Sequence, residues 1–139
     1  MVLIDDIDSD EDIVQLVSSR FKSIDSDIFY YLELPSPTLE TRKVFFHRLM
    51  RIIQKDGYYL IFDTTKIDNR SSAESRQFLI QQMKKMPRCN HLSIICIPNS
   101  IIEASMKFIF ASLRNLSYSI TDSYDLALNS ILNIKNQQK

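Results

Sequence analysis

Two short apolar segments, residues 58–62 and residues 92–97, constrain the fold of this chain more than any other feature of its sequence. Each segment has the length of a strand and is too short for a helix, and each is apolar along most of its length rather than at every second position. Strands of this kind are typical of parallel sheets that helices cover on both faces. We therefore predict that the two segments are neighbouring, buried strands.

Helical patterns separate these strands. Ser71 with Glu74, and Ser100 with Glu103, match the capping box that begins many helices, and the Ser-Pro pair at residues 36–37 is a typical start for an earlier helix. That earlier helix is predicted to direct Phe45, Leu49, Ile52 and Ile53 inward and Arg42, Lys43, Arg48 and Lys55 toward water, and the last helix is predicted to bury Tyr124, Ala127, Leu128, Ile131 and Leu132.

A hairpin is predicted before the first helix. Residues 13–24 and residues 28–34 are predicted to be its two strands, because the Asp-Ser-Asp sequence between them favours a turn. Residues 1–12 are predicted to be a flexible acidic lead-in, since six of them are Asp or Glu. Residues 118–121 are predicted to be the last strand and residues 136–139 a polar tail.

The predicted element order is strand, strand, helix, strand, helix, strand, helix, strand, helix. Strands that alternate with helices pair in parallel through right-handed crossovers. We expect an α/β fold in which residues 13–135 form a single domain. Its sheet should be mixed and mostly parallel, with about five strands opened by a β-hairpin and with about four helices.

Composition and charge argue against several classes of function. Seventeen basic residues balance seventeen acidic ones, so no net charge attracts nucleic acid. Gly57 is the single glycine, which argues against glycine-rich phosphate-binding loops. The acidic amino-terminal residues and the lack of a run of about 20 apolar residues argue against a signal peptide or a membrane span. We expect a cytoplasmic protein whose two cysteines, Cys89 and Cys96, stay reduced.

The sequence offers few residues for catalysis or metal binding. His47 and His91 have no nucleophile in a recognisable motif and are expected to be surface or capping residues. Cys89, His91 and Cys96 are too few for a closed zinc site. The acidic residues 8–12 lack the glycine and the last carboxylate of a calcium loop. We therefore predict no enzyme activity, no metal and no cofactor.

Two features remain as candidate sites. Asp63 follows the first buried strand, at the edge of the sheet where α/β proteins bind ligands. The alternative is that its carboxylate caps the loop that follows. The helix after Ser100 has a second apolar stripe, which predicts a partner surface, a homodimer contact or a lipid-facing wall unless the last helix covers it. The stripe consists of Ile101, Ser105, Phe108 and Ser112.

The layout from about residue 13 onward resembles the STAS family of anti-sigma-factor antagonists and sulphate-transporter tails, including its lipid-binding-like bacterial relatives. The resemblance lies in the element order, in residues 60–63 (LIFD) as the central strand, and in residues 92–97 (LSIICI) followed by a helix, a short strand and a terminal helix. In that family, a Ser or Thr at the start of the helix after the central strand is phosphorylated to break partner binding. The resemblance implies phosphorylation or partner binding at Ser71 or Ser72, near Asp63. The alternative is that Ser71 only caps its helix.

These observations lead to two predicted functions. The first is a non-enzymatic regulatory or protein-interaction module of STAS-like type, whose partner is another protein or a second copy of the chain. The second is a carrier or sensor of a small apolar or lipid ligand, because aromatic residues and five methionines can line an adaptable cavity. The aromatic residues in question are Tyr58, Tyr59, Phe108 and Phe110.

Overall fold

The computed structural model describes residues 11–52, 57–68, 72–86, 89–113 and 116–137. Its strands are β1 (Phe21–Ser23), β2 (Ile28–Leu32), β3 (Tyr58–Asp63), β4 (Cys89–Ile95) and β5 (Tyr118–Thr121). Its helices are α1 (Glu11–Ser18), α2 (Leu39–Ile52), α3 (Ala73–Lys84), α4 (Ile101–Ala111) and α5 (Tyr124–Gln137).

The strands form a mixed sheet in the order β1-β2-β3-β4-β5. β1 is antiparallel to β2, and each later pair is parallel. Leu60 of β3 lies beside Leu92 of β4, so the two apolar segments pair as neighbouring strands, as predicted, although the second strand spans Cys89–Ile95 rather than residues 92–97. The sheet confirms the predicted α/β class, the mostly parallel arrangement of five strands and the opening hairpin.

Helices cover the two faces of the sheet unequally. Alternate side chains of β3 point to opposite faces. Leu60 and Phe62 pack in a large core with residues of α1, α2, α3 and α4, whereas Tyr59 and Ile61 pack in a smaller core with α5. Because the strands follow chain order across the sheet, crossovers of one hand place α2, α3 and α4 on the same face.

The chain begins its described part with a helix where the sequence predicted a strand. Residues 11–18 form α1, so only Phe21–Ser23 of the predicted strand at residues 13–24 is extended. Val14 and Val17 are the buried residues of α1, and their spacing of three places both on one helical face. Glu11 and Asp12 lie in its first turn, where acidic groups are favourable. Residues 11 and 12, predicted to belong to the flexible lead-in, are therefore helical, and residues 1–10 lie outside the described part.

The helix after the hairpin differs from its prediction at its start and on one face. α2 begins after Thr38, whose hydroxyl accepts a hydrogen bond from the Thr41 amide at 3.2 Å, while the Thr41 hydroxyl accepts one from the Thr38 amide at 2.9 Å. Arg42, predicted to face water, is only 2% exposed. Lys43 and Arg48 are half-buried, and Ile53 and Lys55 lie outside the described residues.

The last helix buries fewer residues than its pattern predicted. Ala127 and Ile131 are fully buried, but Tyr124 and Leu132 remain 37% and 40% exposed. Because one helix lies alone on this face of the sheet, it buries only the narrow stripe that faces the strands. That stripe contains Ala127 and Ile131, which are four residues apart. α5 also extends to Gln137, into the stretch predicted to be a polar tail.

Candidate functional site

A groove runs between α3 and α4 on the face of the sheet that carries most of the helices. It has a volume of about 480 Å³. Phe108 and Ile101, both from α4, line it and are 83% and 61% exposed. We call it the binding groove; its lining is Arg76 and Ile80 of α3 with Ile101, Ala104, Ser105, Phe108 and Ile109 of α4.

A second, smaller pocket adjoins the binding groove and shares Arg76, Ser105 and Ile109 with it. Its volume is about 230 Å³. Pro37 and Ile67 in its lining follow β2 and β3, so the pocket lies beyond the carboxyl ends of parallel strands, where α/β sheets bind ligands. We call it the inner pocket; its lining is Pro37, Arg42, Ile67, Arg76, Leu79, Ile102, Ser105, Met106 and Ile109.

Arg42 lies in the lining of the inner pocket and is held by buried partners. Its Nε donates to Glu33 Oε2 at 3.4 Å, and its Nη1 donates to Ser75 Oγ at 2.9 Å. The Leu34 amide donates to the other Glu33 oxygen at 2.8 Å. Burial raises the pKa of Glu33, and the charge of Arg42 opposes that rise. Burial also lowers the pKa of Arg42, which the Glu33 carboxylate opposes and the positive charge of Arg76 enhances.

The position of Arg42 in the sequence indicates that it is buried, although its charge led to the prediction that it faces water. Arg42 precedes Phe45 by three residues and Leu49 by seven, so it lies on the apolar stripe of α2. Its burial follows from that position, because its stem packs with the stripe while its guanidinium meets Glu33. A charged residue in register with an apolar stripe is a useful sign of a buried polar partner.

Asp63 takes the loop-capping role that was the alternative for it. Its Oδ1 accepts from the Thr65 amide at 2.9 Å and from the Thr65 hydroxyl at 2.7 Å, and its Oδ2 accepts from the Tyr30 hydroxyl. The side chain is 7% exposed. Because Phe62 faces the large core, Asp63 points to the α5 face, away from the binding groove. The structure therefore does not bring Asp63 together with the α4 stripe.

Ser72 is the N-cap of α3, one residue later than the predicted cap at Ser71. Its exposed side chain accepts a hydrogen bond from the Ser75 amide at 3.2 Å. Ser71 lies outside the described residues. Ser72 also precedes Arg76 by four residues, which places the two on neighbouring positions of one helix face. Phosphorylation at this position stays a prediction.

The predicted stripe on α4 remains open to water. Ile101, Phe108 and Ser112 are exposed and Ser105 is half-buried. α5 lies on the opposite face of the sheet, so it does not cover the stripe. The Ser112 hydroxyl donates back to the Ile109 carbonyl at 2.8 Å, at the end of the helix. The three other stripe residues line the binding groove, and Ser112 lies beyond its lining.

His91 is buried, which corrects its prediction as a surface or capping residue. It is 3% exposed, with Nδ1 2.7 Å from Ser117 Oγ and Nε2 3.0 Å from Ser119 Oγ. Burial lowers its pKa. Cys89 and Cys96 are both free thiols, and burial raises the pKa of Cys89 to about 12, so that its reactive thiolate is disfavoured at neutral pH.

Two further properties concern the described part of the chain alone. Within it, no three His, Cys, Asp or Glu side chains are grouped so that they could hold a metal ion. None of its helices combines the length and the apolar character that crossing a bilayer requires.

The chain matches no protein-family model, no curated protein and no solved structure. The resemblance to the STAS family therefore remains a prediction from element order and strand sequence.

Proposed function

We propose that this domain is a non-enzymatic protein-interaction module that binds its partner in the binding groove. The observation that carries the proposal is the exposure of Phe108, which keeps 83% of its surface in water next to the equally apolar Ile101. Fully burying one such side chain is worth about 1.5–3 kcal/mol. Neighbouring exposed apolar side chains on a groove wall are typical of interaction sites.

The partner we propose is an amphipathic segment of another protein, with apolar residues and at least one acidic residue. A groove between two helices suits a helical or extended segment that inserts apolar side chains at regular spacing. Ile101, Phe108 and Ile109 would contact those side chains. Arg76, in the same lining, would pair with the acidic residue.

A regulatory role, of the kind that the STAS resemblance implies, would involve Ser72. This hydroxyl is exposed one helical turn from Arg76. A phosphate on Ser72 would compete with an acidic partner residue for the Arg76 guanidinium, and would therefore weaken binding. We also propose a reducing cytoplasmic location, because neither Cys89 nor Cys96 is in a disulfide.

The test is site-specific photo-crosslinking in the native cell. A photoreactive phenylalanine analogue at position 108 should capture a protein that the same analogue at position 126 does not. Leu126 is a matched control, because it is 51% exposed on α5, on the other face of the sheet. With the captured protein purified, Phe108→Glu should weaken binding at least tenfold, and Leu126→Glu should leave it unchanged.

Three outcomes would contradict the proposal. If positions 108 and 126 captured the same proteins, the contact at position 108 would be non-specific. Equal affinity of Phe108→Glu and the parent chain would remove the groove from the interface. A crosslink solely to a second copy of the chain, with twice the 16.3 kDa monomer mass in light scattering, would replace the foreign partner by a homodimer.

A carrier or sensor of a small apolar or lipid ligand is a second candidate function. The inner pocket, with a volume of about 230 Å³ and several apolar walls, is the observation that favours it. The pocket opens next to the binding groove rather than being enclosed by the core, so a bound molecule could extend from one into the other.

A further inference from the structure

We propose that Ser117 is a nucleophilic serine that takes an acyl group from a small activated ester, with His91 as its general base. The exposed Ser117 and the buried His91 meet at 2.7 Å, the distance between Oγ and Nδ1. A nucleophile within hydrogen-bond distance of a base is the basic requirement of such a reaction. The proposal goes beyond the binding of a protein partner, because it concerns stoichiometric covalent modification of the chain itself.

His91 belongs to a chain of four polar contacts that leads from Ser117 into the interior. Its Nε2 lies 3.0 Å from Ser119 Oγ, and Ser119 Oγ lies 3.0 Å from Ser93 Oγ. The Ser93 hydroxyl in turn reaches the carbonyl oxygen of Ala127 in α5 at 3.1 Å. A carbonyl oxygen accepts hydrogen bonds and donates none, so this last contact is a hydrogen bond only when Ser93 supplies the proton.

The number of protons in this chain determines which nitrogen of His91 is protonated. Each hydroxyl has one proton. When Ser93 donates to Ala127, it can only accept from Ser119, and Ser119 must then accept from Nε2 of His91. A neutral imidazole protonated at Nε2 has a free lone pair on Nδ1, which accepts the proton of Ser117. The opposite direction leaves the contact with Ala127 without a proton and therefore makes one hydrogen bond fewer.

Burial keeps His91 in the form that a general base needs, while Ser117 stays accessible. His91 is 3% exposed, and burial lowers its pKa, so its imidazole is neutral at neutral pH. Ser117 precedes β5 and is open to water, so a small ester can reach it from solvent. Leu92 faces the large core, so its neighbours His91 and Ser93 face α5, away from the binding groove.

The proposed step is one nucleophilic substitution at the acyl carbon. The Ser117 oxygen forms a bond to the carbonyl carbon of the ester while its proton passes to Nδ1 of His91. The bond between the acyl carbon and the leaving oxygen then breaks, and the leaving oxygen keeps the electron pair. His91 gives the proton to that oxygen, which restores the neutral imidazole. The products are O-acyl Ser117 and the free alcohol of the ester.

The test is acetylation of the full chain with p-nitrophenyl acetate at pH 7.5, followed by mass spectrometry of its peptides. We expect Ser117 to gain one acetyl group at least tenfold faster than Ser19. Ser19 is the matched control within the same protein, because it is also exposed, but its hydroxyl donates to the Leu16 carbonyl at 2.8 Å instead of to a base.

Two further variants test the base. His91→Gln should lower the rate of Ser117 acetylation at least tenfold, since a positioned general base typically contributes about 10²–10⁴-fold. His47→Gln removes the other histidine and should leave the rate unchanged. Circular dichroism and urea midpoints would show that both variants stay folded.

Ser119 is a positioning residue in this proposal and allows a test that keeps the imidazole. Ser119→Ala should lower the rate of Ser117 acetylation, because Nε2 of His91 would lose its acceptor. Ser119→Thr should restore the rate, because it returns the hydroxyl. If His91→Gln does not fold, this pair decides the role of the base.

Several results would overturn the inference. Acetylation of Ser117 no faster than that of Ser19 would remove the nucleophile. An unchanged rate in folded His91→Gln, or in Ser119→Ala where His91→Gln is unfolded, would remove the base. An equal loss in His47→Gln and His91→Gln would show that the effect does not arise at this site. The reaction contains no partner protein, so its failure is distinct from failure of the proposed protein interaction.

Discussion

His91 shows how a polar side chain is kept in the interior of this protein. His91 belongs to β4, and both of its ring nitrogens meet serine hydroxyls, those of Ser117 and Ser119. One serine hydroxyl can donate to the unprotonated ring nitrogen, and the other can accept from the protonated one. Both nitrogens of a neutral imidazole are therefore hydrogen-bonded. A protonated ring would place a charge in a site that is 3% exposed.

The burial of His91 predicts a loss of stability in acid. Its pKa is lowered in the folded protein, whereas in the unfolded chain it returns to about 6.5. Below that pH the unfolded chain therefore binds more protons, and the free energy of unfolding falls as pH falls, by at most about 1.4 kcal/mol per pH unit from this group. Urea unfolding at pH 7.5 and pH 5.5 measures the difference.

His91→Gln should reduce this acid-induced loss, and His47→Gln is the control. The chain contains two histidines, so the control removes the other one. If His91→Gln kept the full difference between the two pH values, other groups would be responsible for it. If His47→Gln abolished the difference, the role given to His91 would be wrong.

Asp63 and Arg42 show what single residues reveal before the structure is known. Asp63 lies at the end of a buried strand, as its sequence position indicates, but its partner Tyr30 is 33 residues away in the chain. The cap itself is local, because both bonds to Oδ1 come from Thr65, whereas the long-range pair with Tyr30 occupies the other carboxylate oxygen. The burial of the Arg42 guanidinium likewise depends on hydrogen bonds to Glu33 and Ser75, which lie in two other segments of the chain.

At the scale of helices and strands, local signals were reliable where they were strong. Ser100 caps α4 as its capping-box pattern predicts, with the Glu103 amide donating to its hydroxyl at 3.0 Å. The cap of α3 is displaced by one residue because two serines adjoin, and local sequence alone does not choose between them. Val14 and Val17 share a helical face, yet Ile13, Val17 and Phe21 also fit one side of an extended chain, so the pattern there was ambiguous.

Ser72 provides a test of the α3 cap. Ser72→Ala should lower the free energy of unfolding by about 1 kcal/mol, because the Ser75 amide would lose its acceptor. Ser72→Asp should retain stability, since Asp is an equally good N-cap and its charge is favourable at a helix start. Urea unfolding measures both variants.

Ser130 is the matched control for the cap, because it lies inside α5. Ser130→Ala should leave stability unchanged or raise it slightly, since Ala is the better helix former there. The same Ser72→Asp protein also tests regulation. If it binds the partner as tightly as the parent chain, the proposed phosphorylation switch at Ser72 is wrong.

At the scale of the whole molecule, the arrangement of layers could not be derived from element order alone. The order of helices and strands predicts parallel pairing and a mixed sheet, both of which are present. It does not determine which strands are neighbours, and that choice places α2, α3 and α4 on one face and α5 on the other. The binding groove exists because α4 is the last crossover helix on its face and α5 does not pack over it.

Among the described helices, α5 packs on the smaller core and the other four pack on the large one. We therefore expect the smaller core to depend on the buried side chains of α5. Ile131 is fully buried there with Tyr59, Ile61 and Ile95. Ile131→Ala should therefore lower the free energy of unfolding by about 3 kcal/mol, a large part of the roughly 5–15 kcal/mol expected for a domain. Urea unfolding followed by circular dichroism gives this value.

Leu132, the next residue of α5, provides the control within the same helix. It is 40% exposed, so Leu132→Ala should cost less than about 1 kcal/mol although it removes the same number of carbon atoms. Equal losses in the two variants would mean that α5 is rotated from its position in the structure, with Ile131 no longer facing β3. A small loss in both would mean that the smaller core contributes little, and that the large core under α1 to α4 is enough to hold the sheet together.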